Sequence, residues 1–318
     1  MVDAPDLGSG AERCRGSSPL LGTTSDAGII KMTGNRTPFH ALLPLWLFWG
    51  FNFVVMKTAN DFFAPSFFAA LRFTSGALIL LAIVLVRRSP LPPKHLWPWI
   101  ILTGAMQIAF CNVAIQVCLK YIGSGLMAIL TYTMPIWVAI LARIFLKESL
   151  TLQKIAGIAI SITGIAILMN IELSGNLWAI LLGISVAVIW AISSIIMKAK
   201  LMECDMMSLT AWQMTAAAVT LIGYTVATSA FEAQWTLLSI GCVAYNGILA
   251  SAVAFLLWCY VLTHMEAGKA AVSVLAVPAV GVLSGCLCLG EPLTLTMGIG
   301  MVLILSGIVL VQRAKAVR

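Results

Sequence analysis

The sequence predicts an all-α membrane protein with ten transmembrane helices, arranged as two inverted five-helix repeats. Three observations predict this fold class. Of the 318 residues, 61% are hydrophobic and 10% are charged, whereas an average soluble domain carries about 25% charged residues. Ten stretches are apolar over the roughly 20 residues that a helix needs to cross a bilayer. Landmark residues of the first five stretches also recur in the last five.

The ten apolar stretches are joined by short loops, which leaves no room for a soluble catalytic domain. Before them, residues 1–31 are polar, rich in Gly and Ser, and lack an apolar core of signal-peptide length. They predict a disordered cytoplasmic tail over 1–38, and Met32 is an alternative to Met1 as the translation start. The predicted spans are 39–57, 65–86, 97–118, 122–142, 151–170, 176–197, 206–229, 238–262, 267–289 and 292–311.

The basic residues predict the orientation, because cytoplasmic loops carry the excess of Lys and Arg. With the N-terminus inside, sixteen Lys and Arg fall in the tails and inside loops, whereas only Lys57 and Lys120 fall in outside loops. The remaining cation, Arg72, falls within a span. We therefore expect a multi-pass protein of the cell (inner or plasma) membrane with both termini in the cytoplasm. The net charge of +7 then reflects topology, and no nucleic-acid partner is expected.

Landmark residues recur between the two halves at an almost constant spacing. At an offset of 141 residues, the segment WGFNFVVMK that begins at Trp49 matches WAISSIIMK that begins at Trp190. At an offset of 143, the matched pairs are Pro135 with Pro278, Glu148 with Glu291, Gly157 with Gly300, and Gly164 with Gly307. The offset changes by only two residues, from 141 to 143, between the first and last matched landmarks, which indicates two copies of one unit.

Because five is odd, the second copy must cross the membrane upside down relative to the first. The predicted repeats are 39–170 and 176–312, followed by a cytoplasmic tail over 313–318. Inverted repeats about an axis in the membrane plane are typical of transporters, whose substrate site lies near the midplane between the halves.

These motifs resemble the drug/metabolite transporter superfamily in its ten-helix EamA-type branch. The matching segments are WGFNFVVMK, ALRF, MPIWVAILARIFLKESLTLQKIAGIAISITGIAIL, WAISSIIMK and VPAVGVLSGCLCLGEPLTLTMGIGMVLILSGIVLV. The resemblance covers about residues 39–312. It implies a ten-helix basket with a central cavity, alternating access, and mostly export of amino acids, related metabolites or toxic compounds. A phosphorylated substrate is disfavoured, because Arg72 is the one cation well inside a span.

Arg72 is a candidate substrate-binding residue, because an ionisable side chain inside a span is costly. Its match at the 141-residue offset is Gln213. An Arg and a Gln at equivalent depths can bind the carboxylate and the polar groups of an amino acid. For Arg72 the alternatives are snorkelling to the outer headgroups or a link between two helices.

Further polar and aromatic residues in mid-span are candidates for the wall of a central cavity. Trp49 and Asn52 lie on neighbouring faces of one helical turn, and Trp190 and Ser194 occupy the matching positions in the second half. An Asn in hydrocarbon needs a partner or a wet cavity, and helix-to-helix hydrogen bonding is the alternative. Asn112, Gln116 and Trp258 complete this wall, with core packing as the alternative for the aromatic ring.

Two prolines inside helices are candidate gating positions. Pro135 and Pro278 each free a backbone carbonyl and bend a helix, and Tyr132 lies a turn before the first of them. A static kink is the alternative. We expect Glu148, at a helix end, to cap a helix or pair with a loop. The glycines at 157, 164, 300 and 307 are expected to form close-packing seams between helices.

The sequence therefore predicts a secondary-active exporter of small metabolites, with amino acids or their derivatives favoured, embedded in the lipid bilayer. Its alternatives are a multidrug or other metabolite carrier of the same superfamily, and a membrane scaffold or sensor. No catalytic residue, metal or cofactor is expected, since no HExxH-type motif, paired Asp or convergent Cys and His ligands occur in the spans. Protons are a candidate coupling ion, although no Asp or Glu lies within a span. The transport direction, and the choice between monomer and homodimer, stay open.

Overall fold

A computed structural model of the chain describes residues 38–118, 121–122, 124–168, 176–289 and 293–314. Most of the two predicted tails, with the alternative starts Met1 and Met32, lies outside these ranges. Within them, regular structure is helical, apart from an isolated backbone bridge between Phe63 and Ala233 and a further bridge position at Ile122. The prediction of an all-α protein is confirmed over the described residues.

The described residues form ten helical stretches in chain order, several of them built from consecutive segments. They are α1 Phe39–Ala59; α2 Pro65–Arg87; α3 Trp97–Thr103, Gly104–Phe110 and Cys111–Cys118; α4 Ser124–Tyr132 and Met134–Phe145; α5 Leu152–Leu168; α6 Leu177–Ile196 and Met197–Leu201; α7 Met206–Thr228; α8 Leu237–Tyr245, Asn246–Val253 and Ala254–His264; α9 Ala267–Ser273 and Ala276–Leu289; and α10 Leu295–Arg313.

Among the described helices, eight are long and apolar enough to cross a membrane: α1, α2, α3, α4, α6, α8, α9 and α10. The chain is therefore a multi-pass membrane protein. The two other predicted spans, 151–170 and 206–229, correspond to α5 and α7. Helix α5 is apolar but has 17 residues. Helix α7 has 23 residues, but Gln213 and its threonines lower its hydropathy.

Polar side chains fix where several helices begin. Asn176 accepts a hydrogen bond from the backbone N–H of Trp178 at the start of α6, and Asp205 caps α7 in the same way. Thr236 and Ser239 form a reciprocal capping box at the start of α8. These caps satisfy backbone donors that a helix start leaves unpaired. The sequence thus marks the borders of its spans with side chains that suit the interface with water.

Irregular turns interrupt four helices. Helix α3 widens into π-helical turns over Gly104–Phe110, and α8 does so over Asn246–Val253. Helix α4 breaks at Thr133, and α9 breaks between Ser273 and Ala276. In π-helical turns the backbone N–H and C=O groups do not pair in the regular pattern of an α-helix, and such turns occur often at functional sites.

Glycines form the contact between α5 and α10. A Cβ added to Gly164 would lie 2.7 Å from the carbonyl oxygen of Gly300, and one added to Gly300 would lie 2.7 Å from that of Gly164. A Cβ added to Gly157 would lie 2.8 Å from the carbonyl oxygen of Gly307, and the reverse distance is 2.5 Å. Only glycine allows two backbones to approach this closely, so the predicted seam is confirmed.

The two ends of the bundle are joined by different chemistry. At one end, the loop after α1 pairs with the loop before α8, through hydrogen bonds from the Ala64 N–H to the Glu232 carbonyl (3.0 Å) and from the Gln234 N–H to the Phe62 carbonyl (2.7 Å). Helix α8 runs from this end to the opposite one, where charged side chains of two loops and of neighbouring helix ends meet.

Candidate functional site

Five aromatic side chains from α1, α2, α6 and α8 meet between these helices. We call them the aromatic cluster: Trp49, Phe73, Trp190, Phe255 and Trp258. Trp49 is central, with its ring centroid 6.2 Å from Trp190, 5.6 Å from Phe255 and 6.3 Å from Trp258. Phe73 joins the cluster through Phe255, and their ring centroids lie 6.0 Å apart. Most of these ring pairs have edge-to-face geometry. Three tryptophans that the sequence singled out are therefore brought together.

The π-helical part of α8 holds the centre of this cluster. The indole N–H of Trp49 donates to the carbonyl of Ala250 at 3.0 Å, which lies in Asn246–Val253. The hydroxyl of Tyr245 donates to the carbonyl of Phe48 at 3.1 Å. Two hydrogen bonds thus fix α1 against the irregular part of α8 and orient the Trp49 ring.

Arg72 is buried beside the aromatic cluster, with 7% of its surface exposed. Its guanidinium carbon lies 4.4 Å from the centroid of the Phe73 ring, and Nη1 donates to the Met56 sulfur at 3.4 Å. The amide of Asn52 donates to the same sulfur at 3.2 Å. Because a thioether is a weak acceptor, these bonds are a weak link between α1 and α2. The low exposure also argues against snorkelling to the headgroups.

Several buried polar atoms in this region have no hydrogen-bond partner among the described residues. They are Arg72 Nε, Asn52 Oδ1, Trp190 Nε1, Trp258 Nε1, Asn246 Oδ1, Ser193 Oγ and Ser251 Oγ. A buried polar group without a partner costs about 1–3 kcal/mol, so native structures rarely contain several together. These atoms lie on the four helices that carry the aromatic cluster, which makes this part of the bundle a candidate for binding a polar molecule, while others, such as Gln107 Nε2 and Trp212 Nε1, lie on other helices.

Other sequence candidates have partners elsewhere. The Gln213 amide donates to the hydroxyl of Thr103 on α3 at 2.7 Å, whereas Arg72 contacts Met56 on α1. Asn112 donates to the carbonyl of Ile108 at 2.6 Å, and Ser194 to that of Trp190 at 2.9 Å, each within its own helix.

The remaining candidates concern α3, α4 and α9. The side chain of Gln116 lies outside the described residues, as does Glu291. Tyr132 packs half-buried against a separate cluster with α5, α9 and α10. Pro135 is the second residue of Met134–Phe145, and Pro278 is the third residue of Ala276–Leu289, so both follow a break in their helix.

Charged side chains of the α4–α5 loop, the α8–α9 loop and the adjacent ends of α5, α6 and α9 meet at one end of the bundle. We call this set the ionic cluster: Glu148, Lys154, Lys198, Glu266 and Lys269. Lys154 Nζ lies 2.8 Å from a Glu266 carboxylate oxygen, Lys269 Nζ lies 3.7 Å from the same oxygen, and Lys198 Nζ lies 3.8 Å from Glu148. Lys198 also donates to the Met265 carbonyl.

Glu148 connects this cluster to the start of α9. Its two carboxylate oxygens accept the backbone N–H groups of Ala267 at 2.7 Å and Gly268 at 3.2 Å. A carboxylate at a helix start satisfies unpaired donors and complements the helix dipole. The expectation that Glu148 caps a helix or pairs with a loop is confirmed.

Sequence reasoning missed Phe73, Phe255, Met56 and the lysines of the ionic cluster. Phe and Met carry no polar group that distinguishes a cavity wall from core. The lysines were counted for topology alone. Their proximity to helix ends near Glu148 was a usable signal for ion pairing. Over the described ranges, no three His, Cys, Asp or Glu side chains are grouped to hold a metal.

Comparisons with known proteins agree with this architecture. The model of the "EamA-like transporter family" matches residues 41–170 and 177–313. The "Uncharacterized transporter YoaV" of Bacillus subtilis (strain 168) is 28% identical over 275 residues, covering 84% of this chain and 94% of that protein. A "Probable amino-acid metabolite efflux pump" of Escherichia coli (strain K12) is 29% identical over 278 residues, covering 82% and 89%.

The fold also occurs among solved structures. A crystal structure at 18% sequence identity superposes with a TM-score of 0.72 and covers 85% of this chain and 94% of that one. At this identity the likeness concerns the fold alone. The family match, in contrast, spans nearly all the described helices and confirms the resemblance that the sequence motifs indicated. The chain belongs to the EamA-like transporter family.

Proposed function

We propose that this chain is a secondary-active carrier that exports a small metabolite, with amino acids or their derivatives favoured, by alternating access through a central path. The observation that carries the proposal is the aromatic cluster, surrounded by unpartnered buried polar atoms among four helices of a membrane bundle. Ligand sites are mostly apolar and aromatic, with a few polar groups that fix orientation. The similarity to a probable amino-acid metabolite efflux pump supports this substrate class.

The substrate path runs between α1, α2, α6 and α8 in this proposal. Trp49, Asn52, Arg72, Trp190 and Trp258 are its binding residues, because they are the sequence candidates that lie in or beside the aromatic cluster. The other candidates stay predictions, and these are Asn112, Gln116, Tyr132, Ser194 and Gln213. Pro135 and Pro278, which follow helix breaks, are the proposed hinges.

The two halves are inverted repeats of five spans each in this proposal. Gly157 contacts Gly307 and Gly164 contacts Gly300. Adding 143 to Gly157 gives Gly300, and subtracting 143 from Gly307 gives Gly164. The repeat offset therefore converts the first pair into the second. A contact that maps onto itself in this way is expected across a two-fold axis, so it supports the repeat and α5 as a span.

A second set of contacts supports the same axis. The backbone of α3 at Gly104 approaches the Gln213 carbonyl on α7, and that of α8 at Gly247 approaches Ser75 and the Arg72 carbonyl on α2. Gly104 and Gly247 are 143 residues apart, and Arg72 and Gln213 are 141 apart. Each glycine also lies at the start of π-helical turns. Because α7 holds the position equivalent to α2, it is a span in this proposal.

Both termini are cytoplasmic in this proposal. The start of α1 contacts the end of α8 through His40 Nε2 and the Tyr260 hydroxyl, 3.2 Å apart. At the end of α10, Gln312 donates to the Lys269 carbonyl at 3.1 Å. Both helix ends thus lie at the end of the bundle that holds the ionic cluster, where Lys and Arg are in excess. The positive-inside rule favours the cytoplasm for this end.

Alternating access requires that one end of the path closes while the other opens. The ionic cluster joins the loop between α4 and α5 to the loop between α8 and α9, so it closes the cytoplasmic end. Its members belong to both repeats, and separating the repeats would break it. Protons stay a candidate for coupling, and the carboxylates of this cluster, Glu148 and Glu266, are candidates to carry them.

Counterflow in proteoliposomes with a panel of labelled amino acids and derivatives tests the proposal. We expect exchange of at least one compound, and a loss of exchange in Trp258→Leu, because Trp258 lies in the aromatic cluster. Trp178→Leu is the matched control, since Trp178 is 53% exposed at the start of α6. Size-exclusion profiles show whether each variant is folded.

Counterflow also separates the alternatives. Exchange of drugs or sugar derivatives without amino acids would favour a multidrug or other metabolite carrier. No exchange of any compound by folded protein would contradict transport and favour a scaffold or sensor.

A further inference from the structure

The buried positive charge of Arg72 has no negative partner among the residues that the structure describes. Among the residues that the structure describes, no carboxylate lies within ion-pair distance of its guanidinium. An arginine side chain stays protonated in proteins, and a buried ion is stable only when it is paired and hydrogen-bonded. The Met56 sulfur and the Phe73 ring, which do contact it, carry no net charge.

The chain as a whole offers no acidic residue in the bundle to fill this role. All twelve Asp and Glu lie outside the ten predicted spans. In the loops at the end nearest to Arg72, the described carboxylates are Asp61 and Glu232, and both are exposed, while Glu172 and Glu291 lie outside the described residues. With no carboxylate partner among the described residues, a bound anion is the source of negative charge that this inference assigns to Arg72.

The neighbours of Arg72 describe the rest of that molecule. Phe73 connects the guanidinium to Phe255, and Phe255 lies 5.6 Å from Trp49 and 6.4 Å from Trp190. A carboxylate at Arg72 would thus have its apolar or aromatic body in the aromatic cluster. The guanidinium fork matches a carboxylate, and Arg72 Nε and the Trp190 and Trp258 indoles are unpartnered donors.

We propose that the cargo is a net-anionic monocarboxylate with an apolar or aromatic body, preferred over the zwitterionic amino acid with the same body. Amino acids whose amine is acylated and carboxylic acids without an amine belong to this class. The proposal rests on the carrier function proposed above and names its substrate class.

The reason is charge balance in the bound state. A monoanion leaves Arg72 and cargo neutral together, whereas a zwitterion leaves one uncompensated positive charge inside the bundle. For the ammonium, the unpartnered atoms of these helices supply neutral acceptors such as Asn52 Oδ1 and Asn246 Oδ1, and no described carboxylate. These groups replace lost hydration less well than a carboxylate does.

Three probes with one aromatic body test the proposal: N-acetyl-L-phenylalanine (monoanion), L-phenylalanine (zwitterion) and N-acetyl-L-phenylalaninamide (neutral). Binding to purified wild-type protein is measured by quenching of Trp fluorescence, and exchange is measured in proteoliposomes. We expect the monoanion to bind at least about tenfold more tightly than either other probe. We expect Arg72→Gln to abolish this preference and Arg72→Lys to retain part of it.

The outcomes separate this inference from the carrier function. Equal or tighter binding of L-phenylalanine, or an anion preference that survives in Arg72→Gln, would overturn the inference. The wild-type ranking decides the matter even if Arg72→Gln fails to fold. Exchange of the zwitterion without the monoanion would leave the carrier function standing and refute the charge preference. Absence of exchange for these probes and for the whole counterflow panel would refute both.

Discussion

Replacing Glu148 by Gln tests the proposal that the ionic cluster closes one end of the bundle. The carboxylate accepts the N–H groups of Ala267 at 2.7 Å and Gly268 at 3.2 Å, and it lies 3.8 Å from Lys198. The Gln side chain keeps one acceptor oxygen but loses the negative charge of the carboxylate. Its NH₂ group is a donor and would face one of the two backbone N–H donors. One charge-assisted hydrogen bond is lost, at a cost of about 2 kcal/mol. This corresponds to roughly a 30-fold change in a local opening equilibrium.

Hydrogen–deuterium exchange in nanodiscs measures this opening directly. We expect the amides of Ala267 and Gly268 to exchange about 30-fold faster in Glu148→Gln, since exchange follows the population of the locally open state. Glu203→Gln is the matched control, because Glu203 is an exposed loop carboxylate close to the same end of the bundle, and exchange should stay unchanged there. A folded Glu148→Gln protein whose amides at 267 and 268 exchange at the wild-type rate would refute the role assigned to Glu148.

Two further substitutions probe the packing of the bundle. Gly164→Ala should lower stability by about 1–3 kcal/mol, because its Cβ would lie 2.7 Å from the backbone of α10. Gly298→Ala is the control, because no atom lies within 4 Å of the added Cβ. We expect it to leave the melting temperature in detergent unchanged or to raise it. Equal melting temperatures of the two variants would contradict the seam. Gln213→Met should lower the free energy of unfolding by about 1 kcal/mol, because the hydrogen bond to Thr103 is lost. The affinity for N-acetyl-L-phenylalanine should stay within twofold of wild type. A larger loss of affinity would indicate that Gln213 is part of the binding site.

Composition and spacing predicted the helical architecture because the bilayer imposes simple requirements on a chain. A span needs a minimum length of apolar residues, and this length is visible in any sequence. The seam at Gly164 and Gly300 was also predictable, since glycine at heptad spacing in a membrane helix has few uses apart from close approach. Helix α7 shows the limit of this reasoning, because its polar residues lie against α2 and α3 and its hydropathy understates its burial.

The site was predictable only where a residue was chemically out of place. Arg72, Asn52 and the mid-span tryptophans stood out against an apolar background, and the structure brings Trp49, Trp190 and Trp258 together. The irregular turns of α8 could not be predicted, because residues 246–253 have no proline and their pattern is compatible with a regular helix. Those turns place the Ala250 carbonyl where Trp49 binds it.

The comparison of Arg72 with Gln213 connects the symmetry of the backbone with the proposed function. Both residues lie where a glycine of a neighbouring helix approaches closely, so the backbone contacts of the two halves are alike. Their side chains differ: the Gln213 amide is bonded to Thr103, whereas the Arg72 guanidinium has only a thioether and a ring beside it. Packing explains the first arrangement fully but leaves the charge in the second one unbalanced. In the proposed mechanism, the symmetry of the backbone serves the movement of two halves about a shared axis, and the break in symmetry at Arg72 provides the charge that selects the cargo.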